Sequence, residues 1–226
     1  MKIEPIAYFS SPFGTKFGVP RQSGLLADVP GTVRFVGEWA HEEAVRGIDD
    51  FDYLWLIWGF SLNEKAEKHL TVRPPRLGGN ARVGVFATRS SFRPNNLALS
   101  SVRLLSVERQ PNGAPLLHVL GADLADGTPI YDIKPYLAFT DAHPEAHGGF
   151  VEKVAWQRLE VEWSREAMTD VEGWSECDRQ LLTEVLSEDP RPAYQRAERV
   201  YGLSFMGYEV TFLIADNHLT VLSCKR

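Results

Sequence analysis

The chain has 226 residues, a formal net charge of −6 and a charged fraction of 24%. This length can bury a core without disulfides or metal, and no stretch of about 18 apolar residues marks a membrane span. The only two cysteines, Cys177 and Cys224, lie outside any CxxC pattern, which argues against a zinc site or a disulfide framework. The first residues lack the apolar core of a secretion signal, so we expect a cytoplasmic protein. Because the cysteines lie outside any ligand pattern, we also expect that it holds no metal.

Short strands dominate the first half of the chain. Runs of β-branched and aromatic residues bounded by turn residues predict strands over 2–9, 33–39, 53–60, 82–88, 101–108 and 115–121. One short helix is predicted over 41–48, closed by Gly47. Many short strands with little helix favour a mainly β fold, either a barrel or a strongly bent single sheet, over a doubly wound α/β fold.

A different pattern follows residue 150. Residues 138–150 are small and polar and predict a linker, and residues 154–163 alternate as a strand. Residues 175–188 predict a helix with Ser175 as its N-cap and an apolar face formed by Leu181, Leu182, Val185 and Leu186. The last segment predicts strands joined by a turn at Asp216-Asn217. We therefore divide the chain into residues 1–140, a linker at 141–150, and a small α+β C-terminal domain at 151–226.

Arginine is concentrated in one stretch of the chain. Residues 73–93 contain no Asp or Glu, and they carry Arg73, Arg76, Arg82, Arg89 and Arg93. A net acidic protein is not the usual footprint of a nucleic-acid binder, but a locally basic face can still contact phosphate groups. Phosphate contact and a solvated loop both account for this stretch at this point.

Titratable residues crowd into a second stretch. Asp123, Asp126, Asp132, Lys134 and Tyr136 fall within residues 120–137. Asp126-Gly127 alone indicates only a turn, but this density on rigid backbone is typical of active sites. The chain has no GxGxxG after a strand, no GxxxxGK[ST], no GxSxG and no HExxH, which removes most familiar enzyme classes.

Four segments together resemble the TsaA/TrmO family, and the resemblance runs from near residue 5 to the last strands. In this chain they read PRQSGL, TVRPPRLGGNARVGVFATRSSFRPN, LGADLADGTPIYDIKPY and DPRPAY. The resemblance implies a single-sheet antiparallel β-barrel that works as a homodimer and binds S-adenosylmethionine. The activity it implies is methylation of N6 of threonylcarbamoyladenosine, the nucleoside beside the anticodon of threonine tRNA.

The resemblance also suggests roles for individual residues. The predicted cofactor contacts are Pro20, Arg21, Gln22, Phe60, Ser61, Arg89, Leu99, Asp123, Leu124, Ala125, Asp126, Gly127 and Thr128. The acceptor nitrogen of a urea-like group is a poor nucleophile until its proton leaves, so a general base is expected. The catalytic candidates are Asp126, Asp132 and Tyr136, supported by Lys134 and Asn95. The predicted RNA contacts are Arg73, Arg76, Arg82, Arg93, Arg191 and Arg196.

One departure from the family pattern leaves other functions to weigh. The family reads RPNP-I/L-G where this chain reads Arg93-Pro94-Asn95-Asn96-Leu97-Ala98, so a proline and a glycine are lost. A non-catalytic module that binds S-adenosylmethionine or modified RNA is one alternative. A hydrolase acting on a small nucleotide is another, but the sequence offers neither an activated nucleophile nor a metal cage for it.

Overall fold

The computed structural model describes residues 2–63, 67, 69–78, 81–154, 157–191 and 199–226. Its strands are Ala7–Ser10 (β1), Pro30–Phe35 (β2), Tyr53–Gly59 (β3), Thr71–Val72 (β4), Val83–Gly84 (β5), Leu97–Arg109 (β6), Pro115–Leu120 (β7), Pro129–Pro135 (β8), Glu160–Trp163 (β9), Val200–Phe205 (β10), Tyr208–Ala215 (β11) and His218–Lys225 (β12). Its α-helices are Ala138–Asp141 (α1), Arg165–Asp170 (α2) and Glu176–Ser187 (α3).

Six strands of the first half close into a barrel in the order β1-β2-β7-β6-β3-β8. Every neighbouring pair in it is antiparallel. Strand β3 shows how the sequence specifies the interior, because Leu54, Leu56 and Trp58 are buried while the alternate residues face outward. The predicted mainly β fold with a single-sheet barrel is confirmed.

Close packing inside the barrel requires glycine at one strand position. A Cβ atom on Gly31 of β2 would lie 2.0 Å from Cζ of the buried Phe9 ring on β1. The ring therefore occupies the space that any other side chain at this position would need. This packing fixes the face that β1 turns toward the interior.

The two ends of the barrel carry different connections. Because neighbouring strands are antiparallel, the connections 11–29, 60–96 and 121–128 all meet at one end, which we call the loop end. The connections 36–52 and 110–114 lie at the opposite end. Of the four segments that carry the family resemblance, three begin or lie at the loop end, namely 20–25, 71–95 and 120–136.

The C-terminal residues form a separate four-stranded sheet in the order β10-β11-β12-β9. Strand β9 is parallel to β12, and helices α2 and α3 cover the sheet. Helix α3 follows the prediction closely, because Ser175 Oγ accepts the amide of Asp178 and the predicted apolar face is buried. The turn at Asp216-Asn217 is also confirmed, with Asp216 at a φ of 51°.

The connection 11–29 packs with the C-terminal sheet. Phe13, Leu26 and Val29 are buried in one core with residues of α3 and β10–β12. The Phe13 and Phe205 ring centroids lie 5.7 Å apart, and the Met206 amide donates to the Pro12 carbonyl. The division of the chain at 140 and 151 stays a prediction, and the packing of the cores does not follow it strictly.

Several local predictions were wrong. Residues 41–48 form a 3₁₀ turn at Glu42–Val45, followed by a second at Ile48–Asp50 that starts from Gly47. Of residues 82–88 only Val83–Gly84 is a strand, because Val85–Ala87 turns back as a 3₁₀ helix. Helix α1 covers the first residues of the stretch 138–150, whose role as a linker stays a prediction, and Asp141 ties this helix to the barrel by accepting from Trp55 Nε1 at 2.8 Å.

Strand 154–163 is confirmed only over Glu160–Trp163, and its residues 155–156 lie outside the described residues. Helix α2, at Arg165–Asp170, was not predicted. None of the helices in the described ranges is long and apolar enough to cross a membrane.

Candidate functional site

A chain of hydrogen bonds leads from the barrel interior to a carboxylate at the loop end. Trp58 Nε1 donates to Ser100 Oγ at 2.9 Å, and Ser100 Oγ donates to Asp123 Oδ1 at 2.5 Å. Burial raises the pKa of the Asp123 carboxyl, and the hydrogen bond from Ser100 opposes this rise. The fold therefore holds Asp123 in one orientation and keeps it partly shielded from water.

The connection 11–29 brings polar groups to this carboxylate. The Ser23 amide donates to Asp123, and the Gly24 amide donates to the Gly121 carbonyl at 2.8 Å. Arg89 Nη1 donates to Gln22 Oε1 at 2.6 Å, and the positive charge of Arg89 lowers the pKa of Asp123 by a smaller amount than burial raises it. The structure thus unites three predicted cofactor contacts, Gln22, Arg89 and Asp123.

Arg21 connects the same loop to the C-terminal unit. Its Nη2 donates to the Asp189 carbonyl at 2.7 Å and to the Arg191 carbonyl at 3.4 Å. Burial lowers the pKa of the Arg21 guanidinium, and the nearby Asp189 charge opposes this. Pro20 beside it is buried. The guanidinium of Arg21, predicted as a cofactor contact, is directed in this structure at the backbone of residues 189–191.

The connection 60–96 closes another side of the site. The Phe60 amide donates to the Asn96 carbonyl at 2.9 Å, and the Phe60 ring packs against Trp58 with centroids 4.7 Å apart. Ser61 follows in a 3₁₀ turn, and Asn95 lies exposed in the turn before Asn96. Asn96 has a φ of 53°, which proline cannot adopt, so this chain turns here by a backbone conformation that the family's proline would not allow.

The turn 124–128 forms the floor of the site. Leu124, Ala125 and Thr128 are buried, and Thr128 Oγ1 donates to the Ala125 carbonyl at 2.7 Å. Asp126 Oδ1 accepts the Ser11 amide at 3.0 Å, and the Gly127 amide donates to the Phe9 carbonyl at 2.8 Å. Asp126 therefore fastens the connection 11–29 to this turn.

The other catalytic candidates lie on the outer wall of the barrel. Asp132 is paired with Ile57 and Lys134 with Trp55, on the face opposite to Trp58 and Ser100. Lys134 Nζ lies 3.3 Å from Asp132 Oδ2, and the Tyr136 ring packs against Trp55 with centroids 5.4 Å apart. At about 3.3 Å per residue, Tyr136 lies roughly 25 Å along the strand from Thr128.

Leu99 shares this outer face. It is paired with Ile57 across β3 and β6, and it is 52% exposed. Within the chain the structure does not bring the side chains of Asp132, Lys134, Tyr136 and Leu99 together with Asp123.

The predicted RNA contacts divide into two groups. Arg73 and Arg82 are exposed, and Arg76 Nη1 donates to the Val151 carbonyl at 3.0 Å. Arg93 Nη1 donates to the Thr88 carbonyl at 2.7 Å, and Arg191 donates twice to the Asp189 carboxylate at 2.8 and 2.9 Å. Arg93 and Arg191 are thus committed to contacts within the protein. Arg196 lies outside the described residues.

Sequence reasoning missed two residues that orient the carboxylate. Ser100 is 1% exposed and Trp58 is 6% exposed. Ser100 bonds to Asp123 directly, and Trp58 acts on Asp123 through Ser100, beside which the pairing of β3 with β6 places it. The available signal was a lone serine alternating with apolar residues on the buried face of a strand. In the residues that the structure describes, no three His, Cys, Asp or Glu side chains are grouped closely enough to hold a metal ion.

A buried carboxylate, an amide and a guanidinium can together recognise a ligand that carries hydroxyl or amino groups and a carboxylate. Comparison with known proteins shows the family of the chain. Residues 8–142 match the profile of the tRNA-methyltransferase O N-terminal domain, and residues 156–226 match that of the TrmO C-terminal domain. The chain belongs to the TrmO family. The family predicted from the sequence motifs is confirmed.

Full-length relatives agree with this TrmO assignment. The tRNA (adenine(37)-N6)-methyltransferase of Escherichia coli is 37% identical over 99% of this chain and 97% of its own length. The putative S-adenosylmethionine-dependent methyltransferase RcsF of Pseudomonas aeruginosa is 38% identical over 92% of this chain and 90% of its own. A crystal structure of TrmO from P. aeruginosa superposes with a TM-score of 0.78 at 31% identity, covering 99% of this chain and 96% of that one.

Proposed function

We propose that this protein transfers a methyl group from S-adenosylmethionine to N6 of threonylcarbamoyladenosine, next to the anticodon of threonine tRNA, in the cytoplasm. The observation that carries the proposal is the cluster of Asp123, Arg89 and Gln22 at the loop end of the barrel. Three separate segments of the chain build this cluster, and all three lie within residues 8–142, which match the N-terminal domain profile of the TrmO family.

The residues at the loop end fit the cofactor by their chemistry. The Asp123 carboxylate accepts from ribose hydroxyls or from an amino group, and the Arg89 guanidinium pairs with a carboxylate. Gln22 orients Arg89 through the 2.6 Å hydrogen bond between them. Phe60, packed on Trp58 at the loop end, supplies an apolar surface for the cofactor. When bound, S-adenosylmethionine supplies an electrophilic methyl carbon, and these residues hold it in position.

The acceptor nitrogen loses its proton as the new carbon–nitrogen bond forms, so the protein needs a proton acceptor near it. Asp126 is already the hydrogen-bond acceptor of Ser11, which suits it to shaping the turn. The proton acceptor is then Asp132 or Tyr136, with Lys134 close enough to Asp132 to stabilise its negative charge. Asn95, exposed at the loop end, orients the edge of the base.

This assignment requires two copies of the chain. Asp132, Lys134 and Tyr136 line the outer wall of the barrel, whereas Asp123 bonds to the inner-facing Ser100. Leu99 and Tyr53 on the same outer wall are 52% and 43% exposed, and such a surface suits contact with a second barrel. In a homodimer of this kind, the outer wall of one protomer completes the loop end of the other.

Mixing two inactive variants tests this shared site. Asp123→Asn and Tyr136→Phe are each expected to abolish most turnover, and Tyr136→Phe is expected to leave tRNA affinity unchanged. Denaturing and refolding them together in equal amounts produces heterodimers in half of the population, each with one intact site. We expect recovery of about a quarter of the wild-type rate, because an isologous dimer pairs each loop end with the partner's outer wall.

The outcome of mixing is informative in either direction. No recovery, with heterodimers verified by differently tagged chains, would place both residues in one protomer's site. Full turnover in Tyr136→Phe alone would remove Tyr136 from the catalytic group.

The RNA contacts belong to the basic connection 60–96. Arg73 and Arg82 are exposed there, and Arg76 lies at the junction with residue 151. Each guanidinium that neutralises a phosphate releases counterions, so tRNA affinity falls steeply as salt concentration rises. Dimerisation doubles this basic surface on a protein whose net charge is negative.

Methyl transfer to defined tRNA tests the proposed reaction. Labelled S-adenosylmethionine is incubated with threonine tRNA that carries or lacks the threonylcarbamoyl group, and the nucleosides are analysed by mass spectrometry. We expect label only at N6 of the premodified adenosine, because the acceptor proton is acidic enough to remove only in the carbamoyl form. Label in unmodified tRNA would contradict the proposal that the substrate is threonylcarbamoyladenosine. Cofactor binding without any transfer would favour the non-catalytic module.

A further inference from the structure

An aromatic ring projects from the basic connection into solvent. Phe86 is 76% exposed, although Val85 next to it is only 3% exposed. Leu70, just before β4, is bonded to this turn, since the Val85 amide donates to the Leu70 carbonyl at 3.0 Å, and Leu70 is 89% exposed. Both side chains are apolar and exposed, and neither belongs to either core.

The turn that presents Phe86 is held rigidly from within. Thr88 Oγ1 donates to the Val85 carbonyl at 2.8 Å, and the Thr88 amide donates to the same carbonyl at 3.2 Å. Arg93 Nη1 donates to the Thr88 carbonyl at 2.7 Å and to the Val85 carbonyl at 3.4 Å. Because the backbone of this turn is already held, little backbone conformational entropy is lost when a flat partner packs against the ring.

The charge around this ring selects the partner. No Asp or Glu occurs between Glu67 and Glu108, while Arg73, Arg82 and Arg89 are all exposed in that interval. An exposed aromatic ring on a positively charged surface is the arrangement by which proteins hold unpaired nucleotides. The ring stacks on a base, and the cations contact the phosphates.

We propose that Phe86 is a stacking platform for an unpaired base of the RNA substrate. This assignment rests on the proposed function and adds a recognition residue to it. The ring packs face to face with a base in the anticodon loop, and Leu70 covers the edge of that base. The arginines contact the phosphates and so position the RNA backbone, but they do not stack on a base.

Affinity for threonine tRNA, measured at several salt concentrations, tests the proposal. Phe86→Ala and Phe86→Leu are each expected to weaken binding by about 5- to 150-fold, the loss of one base–aromatic stack. Phe86→Trp is expected to bind threonine tRNA with the wild-type affinity, since the larger ring stacks at least as well. None of these three substitutions alters the slope of log affinity against log salt, whereas Arg82→Ala reduces that slope by about 0.7 to 0.9.

A matched control is Phe139→Ala, because Phe139 is 88% exposed but lies on α1, outside the basic connection. It should bind tRNA as the wild type does, and S-adenosylmethionine affinity should be unchanged in every Phe86 variant. Equal losses in Phe139→Ala and Phe86→Ala would overturn the proposal, as would a shift from dimer to monomer in Phe86→Ala by sedimentation.

The results separate this proposal from the proposed reaction. Wild-type protein that methylates the tRNA, together with unchanged affinity in Phe86→Ala, would overturn the stacking role alone. Wild-type protein that binds tRNA without methylating it, together with weakened binding in Phe86→Ala, would overturn the reaction and support the stacking role.

Discussion

Asp123→Asn is expected to raise the dissociation constant for S-adenosylmethionine by about 10- to 150-fold. A hydrogen bond to a charged group contributes about 1.5–3 kcal/mol, and the substitution removes the charge while it keeps the shape. Ser100 Oγ can still donate to the new amide oxygen, so the barrel beneath the site should be undisturbed. Isothermal titration calorimetry with the wild type and the variant measures the change directly.

The same substitution is expected to raise the thermal stability of the unliganded protein at neutral pH. Burial raises the pKa of Asp123 in the folded state, so the folded state binds the proton more tightly than the unfolded chain does. Stability is therefore lost as pH rises through the folded-state pKa, and at neutral pH the ionised carboxylate costs free energy. Asparagine carries no charge and avoids this cost.

The affinity of the wild type for the cofactor should fall as pH is lowered through the raised pKa of Asp123. This fall should occur at a higher pH than the pKa of an ordinary aspartate would give. The asparagine variant should lack this pH dependence. Asp28→Asn is a suitable control, since Asp28 is exposed on the same connection and should affect neither property. Equal cofactor affinity in Asp123→Asn and the wild type would exclude Asp123 from the cofactor site.

Phe13→Ala is expected to lower the free energy of unfolding by about 3–5 kcal/mol, the usual cost of removing a buried phenylalanine. Phe13 is fully buried and packs on Phe205, far along the chain in β10. Its carbonyl also accepts the Asp126 amide at 2.8 Å, so the connection 11–29 is anchored at both the C-terminal core and the site floor. Urea unfolding of the unliganded protein measures the loss.

Weaker binding of S-adenosylmethionine should accompany this loss of stability, because the same connection carries Gln22 and Ser23 to Asp123. Phe139→Ala serves again as the control and should unfold as the wild type does. A loss below about 1 kcal/mol would contradict the role of Phe13 in the C-terminal core.

Local sequence signals predicted the elements that depend on local physics. Helix α3 has its N-cap at Ser175 and an apolar stripe at helical spacing, and both features act within a few residues of one another. The same holds for the turn at Asp126-Gly127, where Gly127 takes a φ of 72°. The barrel strands β1, β2, β3, β6 and β7 were recognised from runs of β-branched and aromatic residues bounded by turn residues, although their ends moved by up to several residues.

The features that the sequence did not predict depend on residues that are distant along the chain or that act through side-chain contacts. Asp123 and Tyr136 are close in sequence, but strand β8 between them carries them toward opposite ends of the barrel. Residues 82–88 have strand-like composition, but the hydrogen bonds that Arg93 donates to the Val85 and Thr88 carbonyls favour a turn there. The burial of Phe13 with Phe205 could not be inferred from patterning, because loop residues carry no periodic signal for the core they join.

The separation of the two barrel ends has a consequence for how such proteins diversify. The interior side chains set the strand register, while the described residues of the connections 11–29, 60–96 and 121–128 lie outside the barrel strands. Exchange or lengthening of one connection can therefore alter the ligand that is recognised and leave the strands in register. The connection 11–29 is the exception, because any change to its apolar residues must also be accommodated by the C-terminal core.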